Sequence, residues 1–280
     1  MQFILKGQND TINLNDPATG IYLNPELTGL TGLPTIRTSQ GVNAGRDGGW
    51  TTNQNFDARF ISVNGVIAHK DLDTVEKLRQ RLSALLAEKK LVMEFISDTG
   101  KSYGADVRVI GFTSPMKRTL NAAYFKLDLK SDDPLLYDYS GGEIMGILNV
   151  QQELGGFEIN FELPLYIGGG AAGTVVDNTG TTSVNPTFKA YGPLHSPTIV
   201  NQTTNQRIQV LLDMADGDIL EINTKFQTVT LNGANVYYAL ADGFDFPIIA
   251  AGQNLLMLQS EVASDTGYAE VMFNRGYIGI

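Results

Sequence analysis

Apolar residues recur three and four positions apart in one stretch: Leu72, Val75, Leu78, Leu82, Leu85 and Leu86. That spacing predicts one amphipathic helix over residues 71–89. Asp71 and Asp73 at its start and Lys89-Lys90 at its end complement the helix dipole. Elsewhere the period is two. Residues 91–96 form a short apolar run, 98–101 read as a turn, and Ala105, Val107 and Val109 then alternate with Asp106 and Arg108. Residues 124–129 alternate as well. Phe157, Ile159, Phe161 and Leu163 alternate with Glu158, Asn160 and Glu162. Ile208, Val210 and Leu212 repeat the pattern, as do Val229 and Leu231 ahead of the tight-turn pair Asn232-Gly233. The stretch 167–186, rich in Gly, Thr and Asn, is expected to be a long loop. The fold class is therefore mainly β with one amphipathic helix, in sandwiches or barrels.

Length and charge divide the chain. Its 280 residues suit one large or two modest domains. Residues 1–140 carry equal numbers of acidic and basic side chains, so the whole net charge of −10 falls on residues 141–280. That shift, with turn residues clustered between Ser131 and Gly142, predicts domains at 1–140 and 141–280. The acidic balance argues against nucleic-acid binding by bulk charge. The chain has no cysteine, which excludes disulfides, thiolate metal sites and a Cys nucleophile. Two histidines, His69 and His195, leave little material for imidazole chemistry. No signal segment or apolar run of membrane length is visible, and the expectation is a soluble protein made in a reducing cytoplasm.

Local motifs point to turns rather than chemistry. Gly168-Gly169-Gly170-Ala171-Ala172-Gly173 matches G-x-G-x-x-G, but Thr174 to Gly180 is a poor helix, and a dinucleotide site needs a helix there. Thr99-Gly100-Lys101-Ser102 resembles the end of a P-loop, yet Phe95 stands where the first glycine belongs, so a hairpin turn is expected. Asp213, Asp216, Asp218 and Glu221 miss the spacing of a calcium loop, and Asp216-Gly217-Asp218 reads as a turn. No G-x-S-x-G elbow is present. The catalytic, metal and cofactor expectations are therefore all none. Gly45-Arg46-Asp47-Gly48-Gly49-Trp50 holds the only tryptophan; its glycines suggest a sharp turn or a close approach, and Arg46 is suited to a carboxylate partner.

Taken in order, these elements resemble the distal tail protein family of long-tailed bacteriophages and related tail-like particles. Gly45-Arg46-Asp47-Gly48 corresponds to an early Gly-Arg-x-Gly element. A strand over 56–63 follows, then the Leu-rich helix, a strand-turn-strand and a closing strand that ends at Asp133-Pro134. In the second half come Asn185-Pro186-Thr187-Phe188, Gly192-Pro193 and Pro197-Thr198-Ile199-Val200-Asn201. Gly217-Asp218 to Ile222-Asn223 is next, where the family usually has Asp in place of Asn223, then Val229 to Gly233 and Pro247 to Asn254.

The resemblance implies a sandwich- or barrel-like first domain that closes a hexameric ring, and a galectin-like second domain that projects outward. It implies a non-enzymatic hub at the virion tail tip, joining the tail tube protein to the tail-associated lysin or fibre protein and in some particles carrying receptor-binding proteins. DNA passes through the channel without being held, and nothing inserts in a membrane. The interface residues implied are Gly45, Arg46, Gly48 and Trp50. A chain cut near residue 140 is expected to keep forming the ring. The alternative is a carbohydrate-binding module for the host cell wall, with Tyr166, Tyr191, Tyr237 and Tyr238 as its aromatic candidates. A tail-tip hydrolase lacks a local motif, and a tail-tube protein would be one domain rather than two.

Overall fold

Two compact units divide the chain, the first made of Met1–Ser140 with Tyr277–Ile280 and the second of Gly141–Gly276. The computed structural model describes residues 1–117, 121–139, 141–150, 157–159, 165–167, 173–262 and 264–280.

The first unit contains β1 (Gln2–Lys6), β2 (Thr11–Asn13), β3 (Ile21–Leu23), β4 (Ile36–Val42), β5 (Gly49–Phe56), β6 (Arg59–Ala68), α1 (Leu72–Leu86), β7 (Leu91–Ile96), β8 (Ser102–Thr113), β9 (Met116–Lys117), β10 (Ala122–Ser131) and β11 (Leu136–Asp138). Its main sheet runs β2-β1-β7-β8-β10-β6-β3. The long strand β8 joins two ladders. Its first half pairs with β7, from Ile96↔Ser102 to Leu91↔Val107, and its second half pairs with β10. The longest ladder, between β10 and β6, runs from Ala122↔Ala68 to Ser131↔Arg59. Inward residues of these strands, among them Phe3, Leu5, Val63, Phe125 and Leu127, form one apolar cluster with Val75, Leu82, Leu85 and Leu86 of α1. Burying those four helix side chains is worth roughly 6–12 kcal/mol before entropy is subtracted, an upper bound.

The helix begins where the sequence placed it. Asp71 is its N-cap, accepting from the Asp73 amide at 3.3 Å. It ends at Leu86, short of residue 89, because the apolar stripe stops there. The expected strand over 56–63 is two strands, since β5 stops at Phe56 and β6 starts at Arg59.

At that break the Arg59 guanidinium is buried, 1% exposed. Among the described residues it donates only to main-chain carbonyls: Nε to Pro134 O at 2.8 Å, Nη1 to Gly29 O at 2.5 Å and Gly32 O at 3.2 Å, and Nη2 to Ile278 O. Burial pushes its pKa below the ordinary value, and Asp133 opposes that. The charge is thus held by segments far apart in sequence. One of them is Tyr277–Ile280, where Tyr277 also packs edge-on against Tyr103 with centroids 5.1 Å apart. Net charge gave no sign that these last residues return to the first unit. A chain cut near 140 lacks them, and with them one arm of the Arg59 socket.

The second unit contains β12 (Ile144–Asn149), β13 (Phe157–Ile159), β14 (Leu165–Ile167), β15 (Thr174–Asn178), β16 (Thr187–Tyr191), β17 (Leu194–His195), β18 (Thr198–Asn201), β19 (Gln206–Gln209), β20 (Asp213–Met214), β21 (Ile219–Asn223), β22 (Thr228–Leu231), β23 (Ala234–Asn235), β24 (Gly252–Gln259) and β25 (Tyr268–Phe273). A sheet ordered β12-β25-β16-β21-β22-β23 and another ordered β15-β24-β18-β19 turn alternate residues inward. Phe188, Ala190, Leu220, Ile222 and Val271 are buried from the first, and Val176, Ile199, Ile208, Leu256 and Leu258 from the second. The two sheets are consistent with a sandwich architecture. Buried amides brace its loops. Asn201 Nδ2 donates to Ile248 O at 2.7 Å, and Asn254 binds both N–H and C=O of Ala250.

Two expectations change here. The stretch 167–186 is not one long loop, because Thr174–Asn178 pairs with β24. The alternation at 208–212 leaves the ladder after Gln209, where Val210 makes only an isolated bridge to Leu240. Phe161 and Leu163 lie outside the described residues, as does Gly168 to Ala172 of the glycine motif.

Replacing Arg59 by Met leaves several buried carbonyls without donors and is expected to cost the first unit at least about 3 kcal/mol. Calorimetry of Arg59→Met should show one transition lowered and the other unmoved. Equal lowering of both, or of neither, would contradict the socket's assignment to the first unit.

Candidate protein-interaction surface

The strands β4 and β5 form a two-stranded ribbon outside the main sheet, paired from Ile36↔Phe56 to Val42↔Gly49 with a bulge after Thr38. Along both strands every residue except Gly41 is exposed. Val42 is 88% exposed and Trp50 50%. The sequence accounts for this. Thr51-Thr52-Asn53-Gln54-Asn55 has strand-compatible residues but no apolar alternation, so the ribbon has no face to bury. A lone hairpin of this kind is marginal in water. It is held at its base, where the Asp57 amide donates to Thr35 O at 2.7 Å two residues ahead of Arg59.

All four residues singled out in the sequence lie on the outer half of this ribbon. Gly45 (φ 75°) and Gly48 (φ 97°) take left-handed conformations that turn the tip. The Asn43 amide closes the loop on Gly48 O at 3.1 Å. Arg46 is exposed between them. The Trp50 indole lies across Gly41, where an added Cβ would come within 2.6 Å of the ring. Gly41 therefore lets the indole lie against the ribbon with its other face open. The sequence marked the tip but not the strands, because a ribbon without a buried face leaves no hydrophobic period.

The other motifs resolve into turns. Gly100 (φ 82°) and the Ser97–Lys101 bond of 2.9 Å close the β7–β8 hairpin. Asp218 Oδ2 accepts the Ala215 amide at 2.8 Å, and Gly217 takes φ 87°. Gly173 is followed by strand β15 rather than a helix. Among the described residues, no group of three or more His, Asp or Glu is placed to hold a metal. His69 is exposed after β6, and its Nδ1 accepts the Asp71 amide at 3.2 Å.

His195 has a partner that the sequence did not reveal. Its Nδ1 lies 3.1 Å from the carboxylate of Asp265, which is 7% exposed. The His195 amide donates to Asp265 Oδ2 and to Ser260 Oγ, both at 2.9 Å. The Ser260 hydroxyl binds the carboxylate rather than the imidazole, so the imidazole is not placed to take its proton. The bond from Asp265 raises the His195 pKa against a smaller opposing effect of burial, and Asp213 and Glu261 add to the rise. Burial pushes the Asp265 carboxyl up, but Ser260 and His195 together hold it below the ordinary value. The signal missed was distance in sequence: 70 residues separate the pair.

Of the candidate sugar-platform tyrosines, Tyr191 stacks on Tyr268 at 4.7 Å and its hydroxyl binds Glu270 at 3.0 Å. Tyr237 packs with Phe244 and Phe246. Tyr238 is exposed, and the Tyr166 side chain is outside the described residues.

Residues 179–277 match the model of the siphovirus-type tail component, C-terminal domain, the SPP1-type Dit family. The fold matches the crystal structure of the SPP1 Dit protein with a TM-score of 0.67 and 16% identity, over 97% of this chain and 98% of that one. That protein is described as a paradigm of the hub adsorption apparatus in phages infecting Gram-positive bacteria. A chain of the phage P2 baseplate in its activated conformation with calcium aligns over 97% of both chains at 12% identity and a TM-score of 0.47. Comparison with curated proteins gave no match. The chain thus matches the Dit family in its C-terminal domain and the Dit fold along its length.

The His195–Asp265 pair gives the second unit a pH signature. With the His195 pKa raised, its stabilisation is complete below the unfolded histidine value of about 6.5 and is lost as pH rises through the raised folded value. With the Asp265 pKa lowered, its share is present above about 3.9 and is lost as pH falls through the lowered value. The second unit's melting temperature should therefore fall as pH rises above about 6.5, and His195→Ala should remove that fall. An unchanged profile in the variant would refute the pairing.

Proposed function

We propose that this chain is a distal tail protein: copies close into a hexameric ring at the tip of a phage or phage-like tail, and the ring joins the tail tube to the components below it. The observation that carries this reading is the agreement of fold with SPP1 Dit over nearly the whole of both chains. The role is structural. The first domain, residues 1–140 with 277–280, makes the ring, and the β4–β5 ribbon with Gly45, Arg46, Gly48 and Trp50 makes contact between copies. A ribbon with no buried face of its own gains most from being covered. The second domain, residues 141–276, is a galectin-like sandwich whose acidic character serves further tail components, the tail-associated lysin or fibre protein and receptor-binding proteins. Its charge of −10 disfavours retention of DNA.

Gold-labelled antibody against the chain, applied to intact particles under the electron microscope, tests the placement. Label is expected at one end of the tail only, opposite the DNA-filled head where one is present. Label along the whole tube, or on the head, would overturn the reading.

A further inference from the structure

We propose that Arg46, at the tip of the β4–β5 ribbon, docks into a depression containing Asp128 on a second copy of this chain. The inference rests on the ring reading and names a contact that builds the ring. The depression has a volume of about 300 Å³ and opens on the first unit between the exposed side chains of Phe60 and Ile110, with Asp128 and Ser62 as its acceptors. Phe60 and Ile110 are about half-exposed.

The Asp128 carboxylate is fixed but not used up. Its Oδ1 accepts the Ser62 hydroxyl at 2.5 Å, while Oδ2 has Lys126 at 3.4 Å. Gly111 lies beside Oδ2, where an added Cβ would approach to 3.3 Å, so the absence of a side chain keeps that oxygen open. The Ser62 bond, with Lys126 adding to it against a smaller opposing effect of burial, holds the Asp128 carboxyl below its ordinary value and keeps it charged.

Charge and shape together select the occupant. A carboxylate beside the exposed Phe60 ring and the Ile110 side chain fits a planar cation that stacks on one side and donates two N–H bonds on the other, which is the chemistry of a guanidinium. Arg46 is such a cation, carried at the far end of an arm. Counting rise per residue, the ribbon from the Ile36–Phe56 pair to the Val42–Gly49 pair spans about 20–24 Å. Within one copy the two groups do not meet, since Asp128 pairs with Lys126 and Arg46 stays exposed. Plug and socket are different surfaces of one chain, so the contact is head-to-tail, the type that generates rings when its rotation closes.

Charge reversal in the full chain provides the test, read as the association midpoint in sedimentation equilibrium. Arg46→Glu changes an exposed tip residue and should leave folding intact. Alone it should raise the midpoint roughly tenfold or more, and Asp128→Arg should do the same. The double variant should return to within a few-fold of the parent. Arg46→Gln, which removes charge without reversing it, should give an intermediate loss. If the parent chain associates and Arg46→Glu matches it, this contact is wrong and the ring reading stands. If both single variants lose association and the double variant does not regain it, Arg46 meets another site and the proposal fails. A parent chain that never associates refutes the ring reading itself.

Discussion

A buried guanidinium organises the first unit. Arg59 is taken out of water and bound by main-chain carbonyls of residues 29, 32, 134 and 278. A buried cation is costly unless its donors are satisfied, and here Nε, Nη1 and Nη2 all have acceptors. The result is geometric. The segment before the ribbon, the first residue of β6, the Asp-Pro step and the returning end of the chain are held to one point. The ribbon rises from that point with no core of its own, so its direction depends on the socket at its base.

That arrangement separates what must be rigid from what must be available. Sheet and helix bury their apolar rows in one cluster, and β8 carries continuity from one ladder to the other. The ribbon exposes almost everything, including the only tryptophan. In a monomer such an arm is a liability, because an unpaired ribbon invites pairing with other chains. In the proposed ring the same property would serve assembly, each arm being covered by its neighbour. The second unit is built differently. Its loops are braced by buried amides such as Asn201 and Asn254, and its sequence carries the acidic excess.

The sequence made visible those elements that have a buried face. The stripe from Leu72 to Leu86 marked α1 and its N-cap, and residues 91–96 marked β7, because core burial writes its period into the chain. The ribbon left no such mark; only the glycines and Trp50 at its tip stood out. Strand β15 was hidden by a composition of Gly, Thr and Asn that loops share, although Thr and Val are good strand residues once a partner such as β24 lies alongside. Arg59 carried no signal in the sequence, since nothing local shows that four distant carbonyls will surround it. The His195–Asp265 pair and the return of Tyr277–Ile280 were hidden for the same reason. The order of turn and strand motifs did carry the family resemblance, because those motifs fix the path of the backbone.

The proposed ring is built from identical copies of this chain. Light scattering coupled to size-exclusion chromatography, over a wide range of protein concentration, tests it most directly. The mass should climb with concentration from the 30.4 kDa chain to a plateau at six copies. A monomer mass throughout, or a plateau at two copies, would contradict it.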